Sequence, residues 1–275
     1  MSSNRSTARP LPALAERKIH SQTRGSQRGP ITRLMSPSDL GQYLKPFVFL
    51  DMVDAPSSIT QSDNLHPHSG IATVTVLTEG KWGTGRLDYG GVEWMRAGSG
   101  IWHGGEYRPD SAPHFKGFQL WVALPQALEA SAPEWQFVEA HGIPEVGPAR
   151  LIVGTYQGKT SPVRAFDGLN YLLVTLAPGE TWIYDTPIGH DVGWLSLSHG
   201  NLSSDGRFDA GDMIAFDRGD AAIPLRAGPD GATFVLGSAV PHPHDLVLGH
   251  YSVHTSEAAL KAGEARIAEV QHLYT

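Results

Sequence analysis

The sequence predicts an all-β protein whose two successive halves each form a barrel or sandwich, followed by one C-terminal helix. Short runs rich in β-branched and aromatic residues recur along almost the whole chain, each bounded by Gly, Pro or Asp. The 31 glycines and 20 prolines are many for a helical protein and normal for one made of short strands and turns. Because the runs fall into two series of similar length, we expect a duplicated β architecture.

The first series of predicted strands precedes an Ala-, Pro- and Gly-containing seam at 126–148, and the second series follows it. We expect the seam to be a partly helical link between the two halves. The predicted strands of the first series are 47–53, 72–80, 91–98 and 116–125. Those of the second series are 149–158, 170–185, 193–200, 212–219 and 232–240.

The end of the chain changes from a strand pattern to a helical one. Thr255 or Ser256 can cap a helix start, and Glu257 suits the positive end of the helix dipole. The spacing predicts an amphipathic helix over 256–275 that packs on the barrels and carries no chemistry. Its apolar face comprises Leu260, Gly263, Ile267, Val270 and Tyr274.

Composition excludes several classes of protein. A chain of 275 residues with 40% hydrophobic and 18% charged residues has room for two globular domains with substantial cores. With no cysteine, disulfides, thiolate zinc sites, iron–sulfur clusters and cysteine nucleophiles are excluded. No run approaches 18 apolar residues, and no secretory signal is evident. We therefore expect a cytoplasmic protein without a membrane partner.

Charge is unevenly distributed between a basic leader and an acidic body. The formal net charge is −7, although the first 28 residues are strongly basic. An acidic body argues against direct nucleic-acid binding, which needs clustered Lys and Arg. The charged residues among these first 28 are Arg5, Arg9, Glu16, Arg17, Lys18, Arg24 and Arg28.

Two histidines separated by one proline are the most informative local pattern. His66 and His68 flank Pro67 in HPHSG, and His103 follows 35 residues after His68. Side chains at i and i+2 of an extended segment lie on the same face. Neutral imidazole is the commonest protein ligand for divalent transition metals. A same-face pair, a later histidine and a carboxylate would form a facial metal site with positions open to substrate.

The motifs LDMVDAP, HPHSGIATVTVLTEG, WMRAGSGIWH and GFQLWVALP, together with the closing strand and helix, resemble the pirin family, a branch of the cupins. The resemblance covers the chain from about residue 17 to the end. It implies two stacked cupin (jelly-roll β-barrel) domains and one non-haem metal, usually iron, in the N-terminal barrel. The predicted organisation is a basic leader (1–16), an N-terminal metal-binding cupin (17–135), a C-terminal cupin (136–255) and a C-terminal amphipathic helix (256–275).

The resemblance implies that His66, His68 and His103 are the three histidine ligands. The family's carboxylate ligand would fall at Gly105, and the nearest acid is Glu106. A bulge at the two preceding glycines would restore the facing of Glu106, because glycine accepts positive φ. We predict Glu106 as fourth ligand and catalytic carboxylate. The alternative is a surface glutamate, with water completing the metal's coordination.

A second departure from the family pattern lies four residues after the second histidine. Many family members have a glutamate there, and this chain has Ala72. The change would remove a candidate base or hydrogen-bond acceptor near the metal. Met95 and Gln119, on strands that flank the site, are the predicted pocket-lining residues.

The resemblance also implies an activity, because several family members oxidise flavonols such as quercetin with dioxygen. We therefore predict a metal-dependent dioxygenase that takes a small aromatic, flavonol-like substrate and dioxygen. The alternative is a metal-dependent binding or regulatory protein without turnover, which would have a protein partner, as a eukaryotic member acts as a nuclear transcription cofactor. One divalent transition metal per chain is expected: Fe(II) is favoured, while the donor set also suits Mn, Co, Ni, Cu or Zn.

Other chemistry finds little support in the sequence. The stretch 242–254 repeats the HPH string, but it follows the last predicted strand, so the second barrel is predicted to be structural. The chain lacks the GxSxG of a nucleophile elbow, the GxGxxG of dinucleotide sites and the phosphate-binding GxxxxGK[ST] loop.

Overall fold

The computed structural model describes residues 16–56, 65–82, 87–104 and 113–273. Most of the predicted leader and the predicted helix-face residue Tyr274 lie outside this part of the chain. Antiparallel strands dominate the described residues, and each predicted strand run coincides with one or more observed strands.

The elements of the first half follow the predicted series closely. In chain order they are β1 (Ile19–Thr23), β2 (Ser26–Arg28), β3 (Ile31–Met35), α1 (Leu40–Leu44), β4 (Phe47–Pro56), β5 (His66–His68), β6 (Ile71–Glu79), β7 (Lys81–Trp82), β8 (Leu87–Asp88), β9 (Val92–Arg96), β10 (Ile101–His103), β11 (His114–Ala123) and β12 (Glu134–Val138).

The second half begins with a short 3₁₀ helix (Ala140–Gly142) and ends with the longer α-helix and another 3₁₀ helix (Gln271–Leu273). Its elements are β13 (Glu145–Val146), β14 (Ala149–Val153), β15 (Thr155–Tyr156), β16 (Lys159–Thr160), β17 (Leu169–Leu176), β18 (Thr181–Tyr184), β19 (Val192–Ser203), β20 (Arg207–Asp209), β21 (Met213–Phe216), β22 (Ile223–Ala239), β23 (Val247–Leu248), β24 (Val253–His254) and α2 (Glu257–Val270).

Two large sheets organise the molecule, and each contains the same four-strand pattern. The first runs β12-β9-β6-β11-β4-β3-β2, and the second runs β1-β21-β19-β22-β17-β14-β13. The neighbours β4-β11-β6-β9 of the first recur as β17-β22-β19-β21 in the second. The strand after β4, β5, pairs with β10 just before β11; likewise β18, after β17, pairs with the first part of β22. This repeated Greek-key arrangement is a jelly roll, so the predicted two-barrel fold is confirmed.

The boundary between the halves differs from the prediction at two places. Residues 17–135 were assigned to the first barrel, but β1 pairs with β21 of the second sheet. Buried Arg17 anchors this N-terminal strand: its Nε donates to the carbonyl oxygen of Asp217 at 2.8 Å. Within the predicted helical seam at 126–148, β12 instead extends the first sheet by pairing with β9. Both differences come from pairings between strands distant in sequence, which local composition does not encode.

Side-chain alternation divides the apolar core into layers. One face of each large sheet contributes to a shared cluster between the barrels, in which Trp94 and Val74 of the first half join Trp194 and Tyr171 of the second. The opposite face of the second sheet fills its own barrel with apolar side chains. The corresponding interior of the first barrel holds two smaller apolar clusters. The barrels therefore share one continuous core and differ in what lies inside them.

The predicted C-terminal helix is present as α2. Ser256 caps it, since its Oγ accepts the Ala259 N–H at 3.2 Å. The predicted apolar face is confirmed for its described members, all of which are buried: Leu260, Gly263, Ile267 and Val270. Neither helix in the described ranges has the length and apolarity needed to cross a membrane.

Candidate metal centre

Three histidines converge where β5 pairs with β10. His103 lies directly opposite His66 in the antiparallel register, and His68 lies two residues further along β5. Alternation along β5 directs His66 and His68 to one face, with Pro67 between them. Each histidine offers one ring nitrogen, and these three nitrogens lie within 4.8 Å of one another. The structure thus brings together the three histidines that the sequence predicts as ligands.

The electrostatic setting keeps two of these rings neutral. Burial, with His103 nearby as the next cause, holds the pKa of His68 well below its usual value of 6.5. Burial, aided by His66, lowers the pKa of His103 to about 3. A neutral imidazole has an unprotonated nitrogen whose lone pair can bind a metal. At neutral pH the rings of buried His68 and half-buried His103 are therefore in the form that a metal requires.

Hydrogen bonding leaves the metal-facing nitrogens available. The Nδ1–H of His68 donates to the carbonyl oxygen of Tyr251 at 2.8 Å, which places the lone pair on Nε2. In the described part of the chain, Nε2 of His68 and Nε2 of His103 are buried and have no hydrogen-bond partner. Buried polar atoms without a partner are rare and call for an explanation such as an ion. The donor set and these two orphaned nitrogens fit a divalent transition metal.

An aromatic wall surrounds the histidines. Trp121 meets the ring of His68 edge-on, with ring centroids 4.7 Å apart, and stacks on Phe49 at 4.0 Å. The Tyr251 ring lies 5.5 Å from that of His66, and it remains partly exposed. Tyr251 was missed by sequence reasoning because it follows the second barrel and has no ligand-type spacing. Its side chain covers the outer side of the histidine cluster.

A polar band crosses the interior of the first barrel below the aromatic wall. The alternating positions that face inward include buried Thr73, Thr75 and Asp51, none of which was predicted. Asp51 pairs with the Arg33 guanidinium, which lies 4.0 Å above the ring of Phe49. Burial raises the pKa of Asp51, and its hydrogen bond with Arg33 opposes that rise. The interior of the first barrel is therefore polar in part, unlike the apolar interior of the second barrel.

The predicted pocket residues occupy different depths. Met95 is fully buried in the apolar cluster that includes Trp121 and Ile101, next to the histidines. Gln119 is half-buried on β11, two residues from Trp121, and its strand neighbours are Thr75 and Asp51. Both residues lie on the interior face. Their contact with a substrate stays a prediction.

The fourth predicted ligand, Glu106, lies outside the described residues. Regular pairing of β10 stops at His103, and Gly104 adopts φ +143°. This positive φ is the glycine conformation on which the predicted bulge depends. The assignment of Glu106 as ligand and catalytic carboxylate stays a prediction.

The expectation that Ala72 removes a base or hydrogen-bond acceptor from the site is wrong, because Gly70 interrupts the strand alternation between His68 and position 72. Gly70 adopts φ +71°, so the alternation of β5 does not continue in phase into β6. Ala72 lies in the cluster between the barrels, whereas Thr73 faces the first barrel's interior. A side chain at position 72 points away from the histidines, so alanine there removes no group from the site.

The second HPH string does not form a second cluster. Nε2 of His242 lies 3.2 Å from the Leu124 carbonyl oxygen, and its Nδ1 accepts the His244 N–H at 3.3 Å. Both ring nitrogens are therefore engaged in fixing the chain after the second barrel. Among the described residues, the triad His66, His68 and His103 is the only group of three or more His, Cys, Asp or Glu side chains close enough together to hold a metal ion.

The second barrel also differs at the strand pair corresponding to β5 and β10. The inward positions of β18 and β22 carry apolar and aromatic residues that pack in that barrel's core. They are Trp182, Tyr184, Ile223 and Leu225. The second barrel thus has no imidazole at these positions, and its structural role stays a prediction.

The amino-acid sequence of this chain is similar to those of known proteins. The Pirin family model matches residues 29–122. A pirin-like protein of Caulobacter vibrioides is 36% identical over 228 residues, covering 75% of this chain and 79% of that protein. A provisionally named quercetin 2,3-dioxygenase of Pseudomonas aeruginosa is 30% identical over the same coverage.

Solved structures show the same architecture. A quercetin 2,3-dioxygenase from Acinetobacter baumannii has a TM-score of 0.82 at 24% identity, covering 94% of this chain and 98% of that one. The Escherichia coli pirin YhhW, solved in complex with nickel(II), has a TM-score of 0.60 at 18% identity, covering 83% and 100%. On the sequence relationship and the shared two-barrel fold, this chain belongs to the pirin family.

Proposed function

We propose that His66, His68 and His103 hold one divalent transition metal and that the chain is a metal-dependent dioxygenase of flavonol-like compounds. The observation that carries the metal assignment is a pair of neutral imidazoles, those of buried His68 and half-buried His103, whose buried Nε2 atoms have no hydrogen-bond partner within the described residues. Nickel(II) in the related E. coli structure supports a divalent ion in this fold. Iron(II) remains the metal that we favour for the native protein, because it is usual in the family.

The proposed substrate class rests on the lining of the site and on the relatives. Tyr251 is partly exposed beside the histidines and offers a ring on which a flat aromatic ligand could pack, while Trp121 and Phe49 are buried behind the histidines. In the polar band beneath, half-buried Gln119 could offer its amide to a substrate rich in hydroxyl and keto groups. Two relatives from Pseudomonas aeruginosa carry provisional quercetin 2,3-dioxygenase names, at 30% and 34% identity.

Each part of the site then has a physical role. The metal, when bound, would supply the electron chemistry that activates a chelating substrate toward dioxygen. The carbonyl oxygen of Tyr251 keeps the proton of His68 on Nδ1 and so leaves the lone pair on Nε2, where the metal would bind. Trp121 and Phe49 exclude water from the inner side. The Glu106 carboxylate is the proposed acceptor of the substrate hydroxyl proton.

The experiment compares anaerobically Fe(II)-loaded and Ni(II)-loaded protein with quercetin, followed by exposure to air. Oxygen uptake together with loss of the flavonol absorbance band is the expected result, at one metal per chain. His66→Ala and His103→Ala should lose the metal and the activity. His190→Phe is the matched control, because it removes a buried histidine in the second barrel that lies outside the triad.

The outcomes separate the two function classes. Metal-dependent binding of quercetin with no oxygen uptake for either metal would refute the dioxygenase and favour the regulatory alternative. Stoichiometric metal retained by both histidine variants would refute the site itself.

A further inference from the structure

The chain that follows the second barrel returns to the first barrel and lies directly behind the histidines. Ser252 forms a parallel bridge with Ser69, the residue after His68, and the Val253 N–H donates to the Ser69 carbonyl oxygen at 3.3 Å. The preceding residue, Tyr251, supplies the carbonyl oxygen that holds His68. A segment 183 residues away in sequence thus fixes the orientation of one candidate ligand.

A buried polar cluster holds this returning segment in place. Ser69 Oγ donates to Ser252 Oγ at 3.0 Å and lies 2.9 Å from Nε2 of His254. The Nδ1 of His254 lies 3.3 Å from Oε2 of Glu129, and the same carboxylate accepts the N–H of Thr255 at 2.9 Å. All but Thr255 are buried. We call Ser69, Glu129, Ser252 and His254 the clamp cluster.

The order serine, histidine, carboxylate resembles a hydrolytic triad, but its location excludes that role. Ser69 is 0% exposed, and His254 is 2% exposed. A nucleophile must be reached by its substrate. The cluster lies between β5, β24 and α2, with no access for a ligand. Its hydrogen bonds therefore serve to position main chain.

Helix α2 completes the contact by touching both histidine-bearing strands. A Cβ at Gly263 would lie 2.5 Å from Ser69 Oγ and 2.6 Å from Nε2 of His254, so only glycine fits there without displacement. On the other strand, the Trp102 Nε1–H donates to the Ile267 carbonyl oxygen at 2.9 Å. Trp102 is adjacent to His103. The helix thus holds β5 and β10 in their mutual register from the side opposite the ring nitrogens.

We propose that residues 249–270 form the outer layer of the metal centre, so that metal binding and packing of this C-terminal element are thermodynamically coupled. Ser69, Ser252, His254 and Glu129 are positioning residues, acting on His68 through the Tyr251 carbonyl. The coupling is reciprocal: loosening the element weakens metal binding, and metal stabilises the element. This inference rests on the proposed metal site.

The first test measures Ni(II) affinity by chelator competition in the full-length chain. His254→Phe removes both hydrogen bonds of the imidazole and should weaken Ni(II) binding by about 10- to 100-fold, the range typical of lost outer-layer partners. His190→Phe, at a buried histidine bonded to Ser238, should leave affinity within about twofold while also lowering the melting temperature. His254→Gln, which can restore one hydrogen bond to Ser69, should recover part of the affinity. The d–d absorption of bound Ni(II) should shift in His254→Phe and stay unchanged in His190→Phe.

The second test needs no variant of the clamp cluster. Hydrogen–deuterium exchange of the wild-type chain should slow across residues 249–270 when Ni(II) is added, and His66→Ala should abolish that protection. Wild-type protein that binds Ni(II) without such protection, or His254→Phe with wild-type affinity and spectrum, would overturn the coupling. Wild-type protein that binds no Ni(II) or Fe(II) would instead overturn the proposed function, so the two failures are distinguishable.

Discussion

Replacing Glu129 with alanine should cost far more stability than a single lost contact, because three donors converge on one buried carboxylate. They are His254 Nδ1 at 3.3 Å, the Thr255 N–H at 2.9 Å and Thr255 Oγ1 at 2.7 Å. A buried donor left without an acceptor costs about 1–3 kcal/mol, so about 9 kcal/mol is the upper limit for three, and the two donors of half-buried Thr255 would lose less. Water entering the vacated space would offset part of this, and we expect a loss of about 4 kcal/mol in the free energy of unfolding. Glu129→Gln, which keeps one acceptor oxygen, should lose about 2 kcal/mol.

The assay is equilibrium urea unfolding of metal-free protein, followed by tryptophan fluorescence, with similar m-values required across the variants. Glu180→Ala is the matched control, because Glu180 also accepts a main-chain N–H, from Ala177 at 2.7 Å, but at an exposed turn. Its loss should stay below about 1 kcal/mol. If Glu129→Ala and Glu180→Ala differ by less than about 0.5 kcal/mol, the carboxylate is not the acceptor on which the returning segment depends.

Two further predictions concern pH and the conformation of Tyr251. Burial lowers the pKa of His190 and of His242 in the folded chain, so the unfolded chain takes up protons first as pH falls through about 6.5. The free energy of unfolding should therefore decline as pH falls below about 6.5, and His190→Phe should make this decline smaller. If urea titrations at pH 7 and pH 5 show the same decline in the variant as in the wild type, the reasoning is contradicted. Tyr251 has φ +63°, a left-handed conformation that glycine adopts freely and β-branched residues resist. Tyr251→Gly should keep Ni(II) affinity within about threefold of wild type, whereas Tyr251→Val should weaken it by about tenfold; equal affinities in chelator competition would show that the carbonyl position is insensitive to this strain.

The sequence predicted those features that depend on short spacings. Histidines at i and i+2 had to share a face of β5, and the structure places them so. The capping serine and the apolar face of α2 follow from helical periodicity, and Ser256 caps the helix as expected. In both cases a few adjacent residues contain all the information that the geometry needs.

Where a backbone irregularity intervenes, the same reasoning failed. Counting four residues from His68 to Ala72 assumes an unbroken strand, but Gly70 at φ +71° shifts the alternation by one position. The assignment of Glu106 depends on the same kind of irregularity at Gly104. A glycine between a ligand and a counted position can therefore reverse which face of the strand that position occupies, and the local sequence does not encode whether it does.

Contacts between distant segments were not predictable from patterns. The pairing of β1 with β21 joins Gln22 to Ile214, and the carbonyl oxygen on His68 comes from Tyr251. Main-chain groups leave no residue-type signature, so no motif could have indicated the Tyr251 contact. Glu129 was passed over because it lies in an alanine-rich stretch that reads as a linker.

These long-range contacts suggest why a chain with one candidate metal centre contains two barrels. The second barrel has Trp182 and Leu225 at the inward positions of the strand pair that corresponds to β5 and β10, so it provides no comparable site of its own. It shares a continuous core with the first barrel, and the chain leaving it is fixed by His242 on the Leu124 carbonyl oxygen before reaching the clamp cluster. The chain that leaves the second barrel thus reaches Tyr251, whose carbonyl oxygen accepts the hydrogen bond from His68. Separating the barrels would take that oxygen away from His68, so we expect the second barrel to support the candidate metal centre by holding this segment in place rather than by supplying ligands.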